Sequence, residues 1–208
     1  MRYCLQPPDA FKDIGAMKAS EKDTIRRRIR AGFPGDMQRQ LESEAICRHL
    51  MAWKQYDTAS CIGFYMPMKR EADITPVMID ALAHGKMVAL PRVEDKGMMS
   101  FRSLTALEQL NKGSYGILEP NNTAPIVTAD AIEVLVVPIE AIRHDGLRLG
   151  KGGGFYDRLL AQSHGLTIGA VLSWQWADDI PQEAWDQTLD AAVDHNGIHL
   201  FGTSMDKE

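Results

Sequence analysis

The chain has 208 residues, 45% of them apolar, and a formal net charge of −5, which suits one sizeable α/β domain. The acidic balance argues against a nucleic-acid partner. No apolar run approaches membrane-spanning length and the first residues lack an apolar secretory core, so a cytoplasmic setting away from membranes is expected. Cys4, Cys47 and Cys61 lie far apart without metal-ligand spacing and read as buried or incidental thiols in a reducing compartment.

Residues 1–19, with Pro7-Pro8, Gly15 and little apolar periodicity, read as a flexible extension before a single domain over 20–208. Ser20, or Ala19 before it, is placed to cap a helix through the basic stretch 22–30, with Asp23 as the acidic partner of a capping box. Gly32, Pro34 and Gly35 stop that helix. A second is predicted over 36–53, with Leu41, Ala45 and Leu50 on one face. Alternating units follow: a strand over 59–65, a loop over 67–73, a helix over 75–84, and strands over 87–91 and 99–103. A short helix over 105–110 and a turn-rich stretch over 112–125 come next. A buried strand over 132–137 then leads into a glycine-rich loop, a helix over 155–162 and a closing strand over 167–172. Strands alternating with helices predict a three-layer α/β/α fold around a mainly parallel, Rossmann-like sheet. Ligands of such sheets bind at the carboxyl ends of the strands, where the glycine loop and the loop starting at Pro67 both fall.

The most informative stretch is 147–160, Leu-Arg-Leu-Gly-Lys-Gly-Gly-Gly-Phe-Tyr-Asp-Arg-Leu-Leu. Between a strand and a helix, such a loop can turn several N–H groups toward one anion beside the positive end of the helix dipole. The alternative is a merely flexible loop, against which stand the flanking Arg148 and Lys151 and the carboxylate of Asp157. The loop fits neither the Walker pattern, lacking Ser or Thr after the lysine, nor the dinucleotide fingerprint, which belongs after a first strand. Lys22 and Arg26, four residues apart, share a helix face and can reach one anion together; alternatively they form a solvated basic face. His195 and His199 are also four apart, but Gly197 between them and the lack of a third ligand argue against zinc. Trp174, Trp176 and Trp185 read as packing for the C-terminal region. Met66 and Met68 can line a pocket beside Glu71.

The glycine loop resembles the signature of the 5-formyltetrahydrofolate cyclo-ligase (methenyltetrahydrofolate synthetase) family. Five other segments resemble that family in order: Lys22 to Arg26, Glu71 to Thr75, Leu90 to Val93, Tyr115 to Pro120, and Ile180 to Asp186. Together they span roughly residues 20–200. The resemblance implies ATP-dependent conversion of 5-formyltetrahydrofolate to 5,10-methenyltetrahydrofolate. ATP would phosphorylate the formyl oxygen to an imino-phosphate, and N10 would displace the phosphate, with no protein nucleophile.

On that reading Lys22, Arg26, Arg148, Leu149, Gly150, Lys151, Gly152, Gly153, Gly154, Phe155 and Tyr156 form the ATP site. Arg148 and Lys151 are the catalytic cations, and Asp157 and Asp186 the magnesium ligands. Glu71, Tyr115 and Phe155 bind the reduced folate, which can carry a polyglutamate tail; Glu71 would accept two hydrogen bonds from the pterin edge. Alternatively Asp157 stabilises a helix end, Asp186 sits on a turn and Glu71 is an ordinary loop residue. ATP and Mg2+ are the implied cofactors, and a monomer or weak homodimer the expected state. The family commonly has Ala-Phe-Asp before the loop, where this chain has Ala141-Ile142-Arg143; its late Val-Thr-Glu is Val193-Asp194-His195 here. The first departure would suit a paralogue activating a different formamide. A non-catalytic nucleotide- or folate-binding protein is the reading from another class.

Overall fold

The computed structural model describes residues 10–94, 98–113 and 116–202, with side chains from residue 21 onward. In chain order the elements are α1 (Ala10–Ala31), α2 (Asp36–Met51), α3 (Lys54–Thr58), β1 (Cys61–Gly63), α4 (Thr75–Ala83), β2 (Met87–Val93) and β3 (Met99–Leu104). A small ribbon, β4 (Leu110–Lys112) and β5 (Leu118–Pro120), precedes β6 (Ile126–Val127) and β7 (Val134–Pro138). Then come β8 (Ala141–Ile142), β9 (Arg148–Leu149), α5 (Phe155–Leu160), β10 (Leu166–Ala170), β11 (Ala191–Asp194) and β12 (Gly197–Leu200).

Eight strands form one sheet in the order β12-β11-β10-β7-β1-β2-β3-β6. β11, β10, β7, β1 and β2 run parallel, while β12, β3 and β6 add antiparallel edges. Both faces are covered, so the central strands are apolar on both sides. Val134 and Val136 of β7 enter one core with Ile46, Cys47 and Leu50 of α2 and Val77, Met78 and Ala81 of α4. Leu135 and Val137 enter the other, closed by Leu160 of α5, Ile142 of β8 and Leu189. A third cluster seats Ile25 and Ile29 of α1 on Ala141, Leu147 and Leu149. The expected α/β fold with a mostly parallel sheet is therefore present.

Several local expectations are corrected. α1 starts at Ala10, so Ser20 lies inside the helix rather than at its N-terminus, and the extension is helical from residue 10 onward; residues 1–9 lie outside the described residues. α2 ends at Met51 and a separate α3 follows. Leu41 is exposed, because the buried side of α2 is made by Glu42, Ser43, Ala45, Ile46, Cys47 and Leu50. The short helix over 105–110 shrinks to a 3-10 turn at Leu107–Gln109. β7 does not run straight into the glycine loop, since the β8–β9 hairpin intervenes. β10 does not close the sheet either, as β11 and β12 lie beyond it.

The order in which strands are added reverses between the parallel neighbours β1 and β7. The chain moves from β1 to β2 on one side, and from β7 to β10 and β11 on the other. Such a switch point leaves a crevice at the carboxyl ends of the two strands. Among the described residues, no helix is long and apolar enough to cross a membrane.

Candidate active site

A cavity of about 1180 Å³ opens at that crevice. It exceeds the roughly 300–1,000 Å³ of a site for one small ligand, so it can hold two side by side. Tyr65 and Met66 reach it from beyond β1, and Pro138 and Glu140 from the end of β7. The glycine loop, α1, the 183–187 segment and an apolar wall of Pro91, Val93, Met99, Ile117 and Leu118 complete it.

The loop owes its shape to its glycines. Gly152 and Gly154 have φ of +100° and +63°, in the left-handed region that other residues enter at a cost. Arg26 of α1 ties the loop down by donating from Nε to the Gly150 carbonyl at 2.9 Å. α5 has only six residues, so the helix dipole contributes little and the loop amides and neighbouring cations are the means of holding an anion.

Each predicted cation already carries a carboxylate. Lys22 Nζ lies 2.5 Å from Glu183 Oε2 and 2.7 Å from Asp186 Oδ2, and Arg26 pairs with Asp23 at 2.5 Å. Arg148, whose side chain is 3% exposed, donates to Asp157 at 3.0 Å, and its Nε is buried without a hydrogen-bond partner. Its guanidinium lies 5.5 Å from the Tyr156 ring centroid. Lys151 reaches across to Glu71, with Nζ 2.7 Å from Oε1. The cavity is thus not a simple concentration of positive charge.

Glu71 is 5% exposed and firmly placed. Its Oε2 accepts the Met68 N–H at 2.8 Å. Its carbonyl accepts Arg39 of α2 at 3.2 Å, Ser43 Oγ accepts the Asp73 N–H at 2.9 Å, and Cys47 donates to the Asp73 carbonyl. Tyr65 donates to the Ala72 carbonyl at 2.9 Å. Burial pushes the phenols of Tyr65 and Tyr156 well above their ordinary range, and the Glu71 charge adds to both shifts. Burial likewise lifts Glu119, against the opposing charge of Arg92 at 3.9 Å.

All the predicted nucleotide and metal residues line this one cavity, as do Glu71, Phe155, Met66 and Met68. Tyr115 lies outside the described residues. Trp174 and Trp176 pack as expected: Trp174 meets Phe33 edge-on at 5.5 Å, and Trp176 stacks on His144 at 4.5 Å. Trp185 does not; it is 64% exposed and lines the cavity. Glu183, Glu140 and Glu119 were not anticipated. Glu183 had a signal in its spacing, three residues before Asp186 in the same block.

The carboxylates fit a magnesium ion held jointly with phosphate. Asp157 is 28% exposed and has one oxygen engaged by Arg148, leaving the other to a metal. Asp186 has both oxygens on Lys22 and must exchange that partner. Among the described residues no group of three or more potential protein ligands gathers, and magnesium held by one or two carboxylates plus phosphates and water needs none. His199 pairs with Asp194 at 3.0 Å across the β11–β12 hairpin.

Comparison with known proteins gives consistent results. The chain is 30% identical over 175 residues to the 5-formyltetrahydrofolate cyclo-ligase of Escherichia coli K12, covering 81% of this chain and 95% of that one. It is 26% identical to the Haemophilus influenzae protein of that name, covering 83% and 97%. The solved structure of Aquifex aeolicus 5,10-methenyltetrahydrofolate synthetase superposes with a TM-score of 0.77 at 27% identity, covering 92% of this chain and 96% of that one. The sequence pattern of one family matches residues 18–195, a span that takes in α1, the Glu71 loop, the glycine loop and Asp186, and the chain belongs to the 5-formyltetrahydrofolate cyclo-ligase family.

Proposed function

We propose that the protein is an ATP- and magnesium-dependent cyclo-ligase converting 5-formyltetrahydrofolate to 5,10-methenyltetrahydrofolate, with release of ADP and phosphate. The observation that best supports this is that one cavity joins the glycine loop and its basic neighbours to the buried carboxylate of Glu71. A nucleotide site alone would not need a fixed carboxylate facing the anion loop.

In this reading the loop amides with Lys22 and Arg26 hold the triphosphate. Glu71 accepts the 2-amino and ring N–H edge of the pterin, and Phe155 walls the folate. The formyl oxygen attacks the γ-phosphorus and the bond to the ADP oxygen breaks. N10 then attacks the formyl carbon, its proton is lost, and phosphate leaves with the former formyl oxygen. Arg148 and Lys151 offset charge on the transferring group, the main task in phosphoryl transfer. Asp157 and Asp186 would hold magnesium, whose contribution is to neutralise phosphate oxygens. A cytoplasmic setting, a monomer or weak homodimer, and acceptance of polyglutamylated folate belong to the same reading.

Ile142 and Arg143, where the chain departs from the family pattern, do not favour another substrate. Ile142 is fully buried in the core beneath the hairpin, and Arg143 donates to Asp145 and to the Ile180 carbonyl. Neither lines the cavity. The test is incubation of the purified protein with ATP, magnesium and 5-formyltetrahydrofolate, followed by near-UV absorbance. Methenyltetrahydrofolate is expected to accumulate with equimolar ADP. A folded, ATP-binding sample that makes none would overturn the proposal.

A further inference from the structure

The ion pair between Lys151 and Glu71 joins two groups that the proposed function assigns to different substrates. Lys151 belongs to the anion loop and Glu71 to the pterin. They occupy one another, with Lys151 Nζ on Glu71 Oε1 at 2.7 Å, while the Met68 N–H lies on Glu71 Oε2 at 2.8 Å. A pterin edge needs one hydrogen bond to each oxygen: Oε2 keeps a second lone pair beside the Met68 N–H, whereas at Oε1 the pterin competes directly with the Lys151 ammonium. In turn, the ammonium of Lys151 cannot serve a phosphate while it is held on Glu71.

The two sides differ in how freely they can move. Arg39, Ser43, Cys47 and Tyr65 all hold the Glu71 loop. Lys151 stands between Gly150 and Gly152 on an exposed loop, and its side chain is 40% exposed. Separation therefore proceeds by Lys151 swinging away from a stationary Glu71.

We infer that the Lys151–Glu71 pair is a substrate-operated latch, through which folate and nucleotide each promote binding of the other. The inference rests on the proposed cyclo-ligase reading and specifies how its two subsites communicate. Either substrate arriving first must break the pair, and the second then binds without that cost. Such shared cost is positive coupling, and it is reciprocal by thermodynamic necessity.

The latch makes a counterintuitive prediction for the two residues. Lys151→Met removes the competitor for Glu71, so 5-formyltetrahydrofolate without nucleotide should bind more tightly than to the wild type. Glu71→Gln keeps an acceptor for the Met68 N–H but releases Lys151, so the ATP analogue AMP-PNP with magnesium should bind more tightly without folate. In the wild type each ligand should tighten the other by the same factor, about tenfold as is typical of coupled sites, and either variant should lose that coupling. Isothermal titration calorimetry measures all of these, with thermal unfolding confirming that each variant is folded. Because Lys151 lies on an exposed loop, Lys151→Met decides the matter alone if Glu71→Gln does not fold. Wild-type binding of each ligand unaffected by the other, or folate binding to Lys151→Met unchanged or weakened, overturns the latch while leaving the nucleotide site standing. Failure of wild-type protein to bind AMP-PNP at all overturns the nucleotide reading, and the latch with it.

Discussion

Arg148 combines near-complete burial, a single carboxylate partner and an unpartnered Nε. A cation in that setting is suited to charge that develops during reaction rather than to tethering substrate. Arg148→Met is expected to lower kcat by about 10²–10³-fold, the usual cost of one transition-state donor. Steady-state kinetics should show KM for the folate nearly unchanged. Asp157, with its second oxygen available, gives a separate signature. Asp157→Asn should raise the magnesium concentration needed for half-maximal rate, read from a metal titration at saturating ATP. The glycine loop, Lys22, Arg26, Glu71 and Asp186 were legible because each sits in a short, distinctive run of residues. Glu119 also sits in such a run, Tyr115 to Pro120, but nothing in its residue type or spacing says that it will be buried beside Arg92. Nor does residue type reveal that each cation of the site will already be paired with a carboxylate.

The element that brings Arg148 into the cavity is the β8–β9 hairpin, which sequence reading missed. Its strands have two residues each, too short for alternation to register. Its tight turn runs through Gly146, which has φ +88°. A Cβ there would lie 2.8 Å from the Leu189 carbonyl and 2.8 Å from the Phe201 ring. Gly146→Ala therefore meets both backbone strain and a clash, with an expected cost of about 2 kcal/mol or more. Chemical denaturation should show the loss of stability, and activity should fall as well because β9 carries Arg148. The β11–β12 hairpin is hidden for another reason: its two-residue loop, His195-Asn196, and the Gly197 that follows it fall inside the four-residue spacing of His195 and His199, which draws the eye to metal chemistry rather than to a turn. The central parallel strands β1, β2, β7 and β10 were found because burial on both faces leaves continuous apolar runs.

For the molecule as a whole, titration limits stability from both sides. Burial raises the Asp194 carboxyl, but the neighbouring His199 ring and the hydrogen bond from the Asn196 amide outweigh it and the net shift is downward. Ser100 and Arg102 hold Glu94 down, and Arg143 does the same for Asp145. A depressed carboxylate stabilises the fold above its unfolded value of about 4. That contribution is lost as pH falls through the lower folded value. Burial pushes the Cys47 thiol up to about 12, so above its unfolded value the unfolded chain gives up a proton that the folded one keeps. Stability should therefore also decline above roughly pH 9. Thermal unfolding across pH should give a plateau bounded on both sides, and Cys47 should resist alkylation until the protein unfolds.

α1 shows how charge and architecture meet. Among its described side chains, Ile25 and Ile29 supply the buried apolar contact. Beside the Arg26 bond to the Gly150 carbonyl, α1 is attached by ion pairs: Lys22 to Glu183 and Asp186, Arg28 to Asp179 at 2.6 Å, and Arg30 to Glu140 at 2.5 Å. Exposed pairs such as Arg28–Asp179 weaken as ionic strength rises, whereas the sheet, held by apolar burial, does not. Hydrogen exchange in increasing potassium chloride should accordingly show α1 amides losing protection while those of β7 keep theirs. The helix that brings Lys22 and Arg26 to the glycine loop is thus fastened by forces that the surrounding electrolyte can tune, and the cavity would lose that wall before the sheet loosens.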